Sequence, residues 1–172
     1  MIKLNMRQLI KKVIKCLNLK DIQIKENCSQ IKLIITYKNS IKREYYFPKE
    51  LDLDVLDLIV IGLYLGEGVN SKTSNSSRRR LYFTNTKVEY CLWFLEFIKK
   101  ICPNVSIKIE VLKSINFQTD TIKNLTKYTS DIKIKESNRK KTLYRILVND
   151  LFLRVLFEQL VDNIINGRPS GI

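Results

Sequence analysis

Met6, Leu9, Ile10, Val13, Ile14 and Leu17 recur at helical spacing, which predicts a helix over residues 6–17. Arg7, Lys11, Lys12 and Lys15 fall on its other side, a row that suits either a solvated face or one that tracks phosphates. Residues 22–26, 31–37 and 41–47 read as three short strands, with turns at 27–30 and at Asn39-Ser40. Pro48 closes this block. An apolar run over 58–66 then predicts a helix, with Asp54 as its cap, Asp57 in its first turn and Gly68 able to end it. Leu58, Gly62 and Gly66 lie four apart and share one face. Two glycines weaken a helix by about 1 kcal/mol each relative to Ala, and they let another backbone come close. After a polar stretch at 71–77, residues 78–84 read as a strand. Thr86-Lys-Val-Glu89 has the form of a capping box. It opens a helix with Val88, Cys91, Leu92, Leu95 and Ile98 on one side, stopped by Pro103. Val105, Ile107, Ile109 and Val111 then alternate with Lys108 and Glu110, the pattern of a half-buried strand. Residues 120–128 suggest a short helix. Residues 131–136 and 142–148 suggest a hairpin with Ser137-Asn-Arg-Lys-Lys141 at its tip. Residues 151–165 form a strongly apolar helix pattern ended by Gly167 and Pro169.

Composition narrows the chemistry. The 172 residues suffice for one domain with a sizeable core, or a domain plus a small appendage. We take 1–48 as a small basic N-terminal module and 49–172 as the main domain. The chain contains no His, which removes Ser-His-Asp and Cys-His triads, His metal sites and a His general base. It also contains no Ala, beside 23 Ile, 22 Lys and 14 Asn, a bias that points to AT-rich codons. Cys16, Cys28, Cys91 and Cys102 are too far apart for zinc-finger spacing. Cys91 and Cys102 flank a helix and read as core thiols. No signal peptide is visible, so the expectation is a reduced intracellular protein, not a secreted one. The longest apolar run is too short to span a bilayer.

The net charge of +14 is unevenly spread. Residues 1–50 carry +8, residues 51–70 carry −4 with no Lys or Arg, and residues 71–149 carry +11. Two basic blocks flanking a short acidic one suit a nuclease: cations hold phosphates while carboxylates hold a divalent metal. A basic structural RNA-binding protein, its acidic block merely capping a helix, accounts for the same sums.

The element order from residue 55, together with Val60-Ile-Gly-Leu-Tyr-Leu-Gly-Glu-Gly68, resembles the LAGLIDADG homing endonuclease family. Gly62 stands at the motif's first glycine, Gly66 at its closing alanine, Glu67 at the later acid and Gly68 at the final glycine. Leu65 replaces the first Asp. The resemblance covers roughly residues 50–165. It implies an α+β fold of order αββαββα with a saddle-shaped antiparallel sheet, to which 1–48 adds a small α/β appendage. One motif per chain implies a homodimer whose motif helices pack side by side through Leu58, Gly62 and Gly66. It further implies Mg2+ bound by the Glu67 carboxylate and the main-chain carbonyl of Gly66, with Glu67 catalytic. Family nucleases place a basic residue after the last helix, and Arg168 is the candidate for that role.

Such chemistry needs hard oxygen ligands and neither His nor Cys. The expected activity is Mg2+-dependent, site-specific hydrolysis of double-stranded DNA. Arg78, Arg80, Tyr82 and Thr84 share one face of a strand and are the first candidates for DNA contact, with Arg79, Leu81 and Phe83 turned toward the helices. Lys108, Lys113, Arg139, Lys140, Lys141 and Arg145 are the second group. The alternative is a non-cleaving relative on the same scaffold, a transcription regulator or an intron-splicing maturase with intron RNA as partner. The sparse basic character after the last helix favours that alternative.

Overall fold

The N-terminal strand and helix show how the apolar period is used. β1 (Ile2–Asn5) leads into α1 (Met6–Cys16), whose first turn is capped by the Asn5 side chain accepting from the Gln8 N–H at 3.1 Å. Met6, Leu9, Ile10 and Val13 are buried, and Arg7, Lys11, Lys12 and Lys15 are exposed. The computed structural model describes residues 2–37, 40–66, 80–115, 117 and 119–166.

β2 (Ile22–Glu26), β3 (Gln30–Thr36) and β4 (Lys42–Pro48) form an antiparallel sheet in chain order, as the alternation predicts. The Asn27 side chain accepts from the Ser29 and Gln30 N–H groups at 3.0 and 2.7 Å and so builds the first turn. Ser40, at φ 57°, occupies the left-handed region in the second. Ile31, Leu33, Ile35, Tyr45 and Phe47 line the buried face.

β5 (Glu50–Leu53) is absent from the sequence reading. Leu51 and Leu53 are buried and Glu50 and Asp52 exposed, a period of two, and the strand pairs antiparallel with β1. The chain divides into two compact units. One comprises Met1–Val55, Ile98–Val105 and Val155–Ile172; the other comprises Leu56–Phe97 and Ser106–Arg154. The expected boundary after residue 48 falls just before β5, whereas the β1–β5 pairing carries the first unit on through Val55.

In the second unit, α2 (Val55–Gly66) spans most of the apolar run. β6 (Leu81–Asn85), α3 (Val88–Ile101), β7 (Lys108–Lys113), α4 (Asp120–Thr126), β8 (Ile132–Glu136), β9 (Leu143–Val148) and α5 (Leu151–Ile165) follow in the chain, with α3 from Ile98 and α5 from Val155 counted in the first unit. The Lys87 N–H donates to the Asn85 side chain at 2.9 Å, so the turn into α3 is built from the residue before the expected capping box. Cys91 and Cys102 are buried, as expected of core thiols. No helix among the described residues is long and apolar enough to cross a membrane.

The α+β class stands, and two finer expectations are corrected. The expected hairpin of 131–136 with 142–148 does not form, because β7 lies between β8 and β9. The sheet order is β6-β9-β7-β8, and β7 pairs with β8 in parallel, so the sheet is mixed and not wholly antiparallel. The order among the described residues is therefore αβαβαββα, with 67–79 outside them. The physical reason is α4. It carries the chain back along the sheet, so β8 starts at the same end as β7. Residues 137–142 then cross the end of β7, a span of about 10 Å or two inter-strand spacings.

Three rings tie the helices of this unit to the sheet. Phe94 of α3 stacks on Phe83 of β6 at 4.7 Å between centroids, and Tyr64 of α2 stacks on Phe94 at 6.1 Å. Phe83 and Phe94 are fully buried. Phe94→Ala should therefore cost about 3–5 kcal/mol of folding stability in a denaturant titration. A loss below about 1 kcal/mol would mean that the stack does not hold the unit together.

Candidate nucleic-acid interface

The pleat sorts the four-stranded sheet into two chemically different faces. Leu81, Phe83, Tyr144, Ile146, Val148, Ile109 and Val111 fill the inner face and are buried. The pairing register places the residues between them on the outer face. Thr84 faces Arg145 across β6 and β9, Arg145 faces Glu110 across β9 and β7, and Glu110 faces Lys133 across β7 and β8. Tyr82, Lys108 and Lys135 share that face by the same register, and Arg80, exposed, precedes β6 by one residue.

The outer face thus gathers Lys108, Lys133, Lys135 and Arg145, with Arg80 at its margin. Its strand positions hold a single acid, Glu110, which lies 3.8 Å from Arg145 and 4.0 Å from Lys135. Lys108 also pairs with Asp131 at 3.3 Å. A half-exposed sheet face of like charge is costly to assemble and attracts a polyanion. Lysines and arginines on such a face can pair with phosphates, while Tyr82 and Thr84 add a ring and a hydroxyl that can donate to phosphate or base edges.

Of the expected contact residues, Arg80, Tyr82, Thr84, Lys108 and Arg145 come together here. Arg139, Lys140 and Lys141 are exposed on the connection between β8 and β9, not at a hairpin tip. Lys113 does not share this face. It has the parity of the buried residues Ile109 and Val111, and it pairs with Glu136 at 2.8 Å. That hydrogen bond and charge hold the Glu136 carboxyl below the usual carboxylate range. Lys133 and Lys135 are the residues that the sequence reading missed. Their signal was the Ile132-Lys-Ile-Lys135 alternation, which puts two cations on the face opposite two isoleucines. Arg78, Arg79, Glu67, Gly68 and Arg168 lie outside the described residues.

The motif helix has its own asymmetry. Val60 and Ile61 are buried, and Asp57, in the first turn, is 6% exposed. Val55, Ile59 and Leu65 are 74%, 46% and 47% exposed, and Gly62 and Gly66 lie on the same open side. Leu58, at its flank, is half-buried. An apolar helix face open to water is uncommon on a monomer. A Cβ built on Gly62 or Gly66 meets no described residue within 4 Å, so neither glycine is required by packing among the described residues.

The helix ends at Gly66, where the last carbonyls have no partner within the helix. A main-chain carbonyl there, joined to a carboxylate at the next residue, is a hard-oxygen donor set that suits Mg2+. Among the described residues, no group of three or more Cys, Asp or Glu side chains could hold a metal. No protein-family model, curated protein or solved structure matches the chain.

The lone acid on the basic face gives a sharp test. Glu110→Gln removes one repulsive charge from a bound phosphate backbone, so duplex DNA should bind about two- to fivefold tighter at low salt. Arg145→Ala should bind more weakly, and Lys113→Ala should bind like the wild type. Titration of a labelled duplex reads all three, and weaker binding by Glu110→Gln would rule this face out.

Proposed function

We propose that the chain is a homodimeric, Mg2+-dependent endonuclease of double-stranded DNA. The observation that carries this reading is one unit holding both a basic sheet face and an apolar helix face that ends at Gly66. The basic face supports duplex binding. The exposed helix face supports a second copy of the chain as its occupant. That face bears no charge, so two copies can meet there despite their net charges, and its glycines allow a close approach about a two-fold axis.

In this reading each subunit brings one Glu67 to the centre of the dimer, one for each DNA strand. The carboxylate of Glu67 and the carbonyl of Gly66 hold the metal. A magnesium ion there supplies Lewis acidity toward phosphate and water. The outer-face cations fix the register of the duplex by its phosphates, and Arg168 is the candidate to offset charge that builds on the scissile phosphate.

Glu67→Gln should abolish Mg2+-dependent cutting of duplex DNA while leaving its affinity within about twofold, since the binding face is untouched. Undiminished cleavage by that variant would refute the assignment. A wild-type chain that binds duplex DNA or intron RNA tightly and nicks nothing with Mg2+ is a non-cleaving binder on the same scaffold.

Gly62→Leu tests the dimer separately. No described residue comes within 4 Å of a Cβ built on Gly62, so the monomer should fold normally. Forcing a side chain into a close helix contact costs about 1–3 kcal/mol, which weakens dimerisation by roughly 10- to 100-fold. Sedimentation showing an unchanged dimer would remove this interface.

A further inference from the structure

α1 carries four cations and no acid: Arg7, Lys11, Lys12 and Lys15. Arg7, Lys11 and Lys15 lie four apart on one face, a spacing at which like charges oppose helix formation. The opposite side of α1, with Met6, Leu9, Ile10 and Val13, is buried. Burial fixes the roll of the helix and turns the cations outward.

Several other cations of this unit sit beside carboxylates. Lys3 lies 4.0 and 3.9 Å from Glu50 and Asp52, Lys32 lies 2.8 Å from Glu44, and Arg7 lies 2.9 Å from Glu26. Lys11, Lys12 and Lys15 differ. Among the described residues none has a carboxylate within 4.0 Å, and Lys20, exposed just past the helix, adds a fourth such ammonium.

We propose that this face of α1 is a second DNA-contacting surface, which holds the phosphate backbone of a duplex without reading its sequence. A partner rich in negative charge is what a cationic stripe selects when Glu26, beside Arg7 at its start, is its one paired acid among the described residues. A lipid surface fits poorly, because a helix lying in a membrane buries its apolar side there, and here that side is in the protein core. Lysine is a point donor that suits phosphate oxygens and discriminates bases poorly. Lys11 and Lys15 are about 6 Å apart along the helix axis, close to the advance of two phosphates along one strand. The choice of duplex DNA rests on the reading of the sheet face given above; the surface itself does not.

The test uses the full chain and a Lys11→Gln, Lys12→Gln, Lys15→Gln triple variant. Both are titrated without Mg2+ against duplex DNAs of unrelated sequence over a series of salt concentrations. The variant should bind every sequence more weakly by the same factor. Its slope of log affinity against log salt should be smaller by about 2 to 3, close to 0.9 per lost phosphate contact. A triple Lys→Arg variant should restore the slope, which separates lost charge from lost folding. An unchanged slope and affinity in the glutamine variant would overturn the proposal. So would a loss that differs from one duplex sequence to the next. Because binding is read without metal, a failure to cut DNA leaves this result standing, and an unchanged salt slope says nothing against Glu67.

Discussion

Tyr64, Phe94 and Phe83 form one continuous stack from the motif helix, through the following helix, to the first described strand of the mixed sheet. Everything else in the second unit is oriented by it. The stack lies on the side of α2 opposite its glycines, so holding Tyr64 inward leaves Val55, Ile59, Gly62 and Gly66 outward. It also fixes which face of β6 is buried. With Phe83 inward, the pleat sends Tyr82 and Thr84 the other way, and the register then carries that choice across β9, β7 and β8. A slip of one residue in β6 would turn the ring out and a polar face in. The aromatic contact therefore decides two surfaces that it does not touch.

Much of this was legible in the chain because burial writes a period into sequence. α1, the three-stranded sheet and α5 follow from spacing alone, and α5 begins and ends where its pattern does. β5 was missed although Leu51 and Leu53 alternate with acids, since Asp54 and Asp57 were weighed as helix-start signals and the acids as one block. The false hairpin has a different cause. Alternation tells which face a side chain takes but not which strand lies beside it. A tight connection of six residues can join neighbours or step over a third strand with equal ease. Lys133 and Lys135 were missed independently of that error, since even the expected hairpin, pairing 136 with 142, sets Lys133 opposite Arg145. The place of Lys113 off the outer face was likewise hidden, as its charge is visible in the sequence but its pairing to Glu136 is not.

The distribution of ion pairs separates cations that hold the fold from those left for other tasks. Lys3, Arg7, Lys32 and Lys113 are answered by carboxylates close at hand. On the outer sheet face, Glu110 is shared between Arg145 and Lys135 at longer range, and among the described residues the three lysines of α1 have no carboxylate within 4.0 Å. Exposed pairs contribute little stability individually. Their effect is to quench repulsion locally, which leaves the lysines of α1 less screened than Lys3 or Lys32.

β8 lies at the margin of its sheet, with β7 its one strand neighbour among the described residues. A sheet margin offers unpaired N–H and C=O groups to any passing chain, and Ile134, nearly half exposed, would make such a meeting sticky. Lys133 and Lys135 stand along this margin and repel a second copy that approaches strand to strand. The same two ammonium groups thus guard against self-association at the sheet edge, and under the proposed function they also add to its affinity for phosphate. On that proposal, neutralising them removes the guard along with the binding, so loss of binding and onset of aggregation are coupled at this strand.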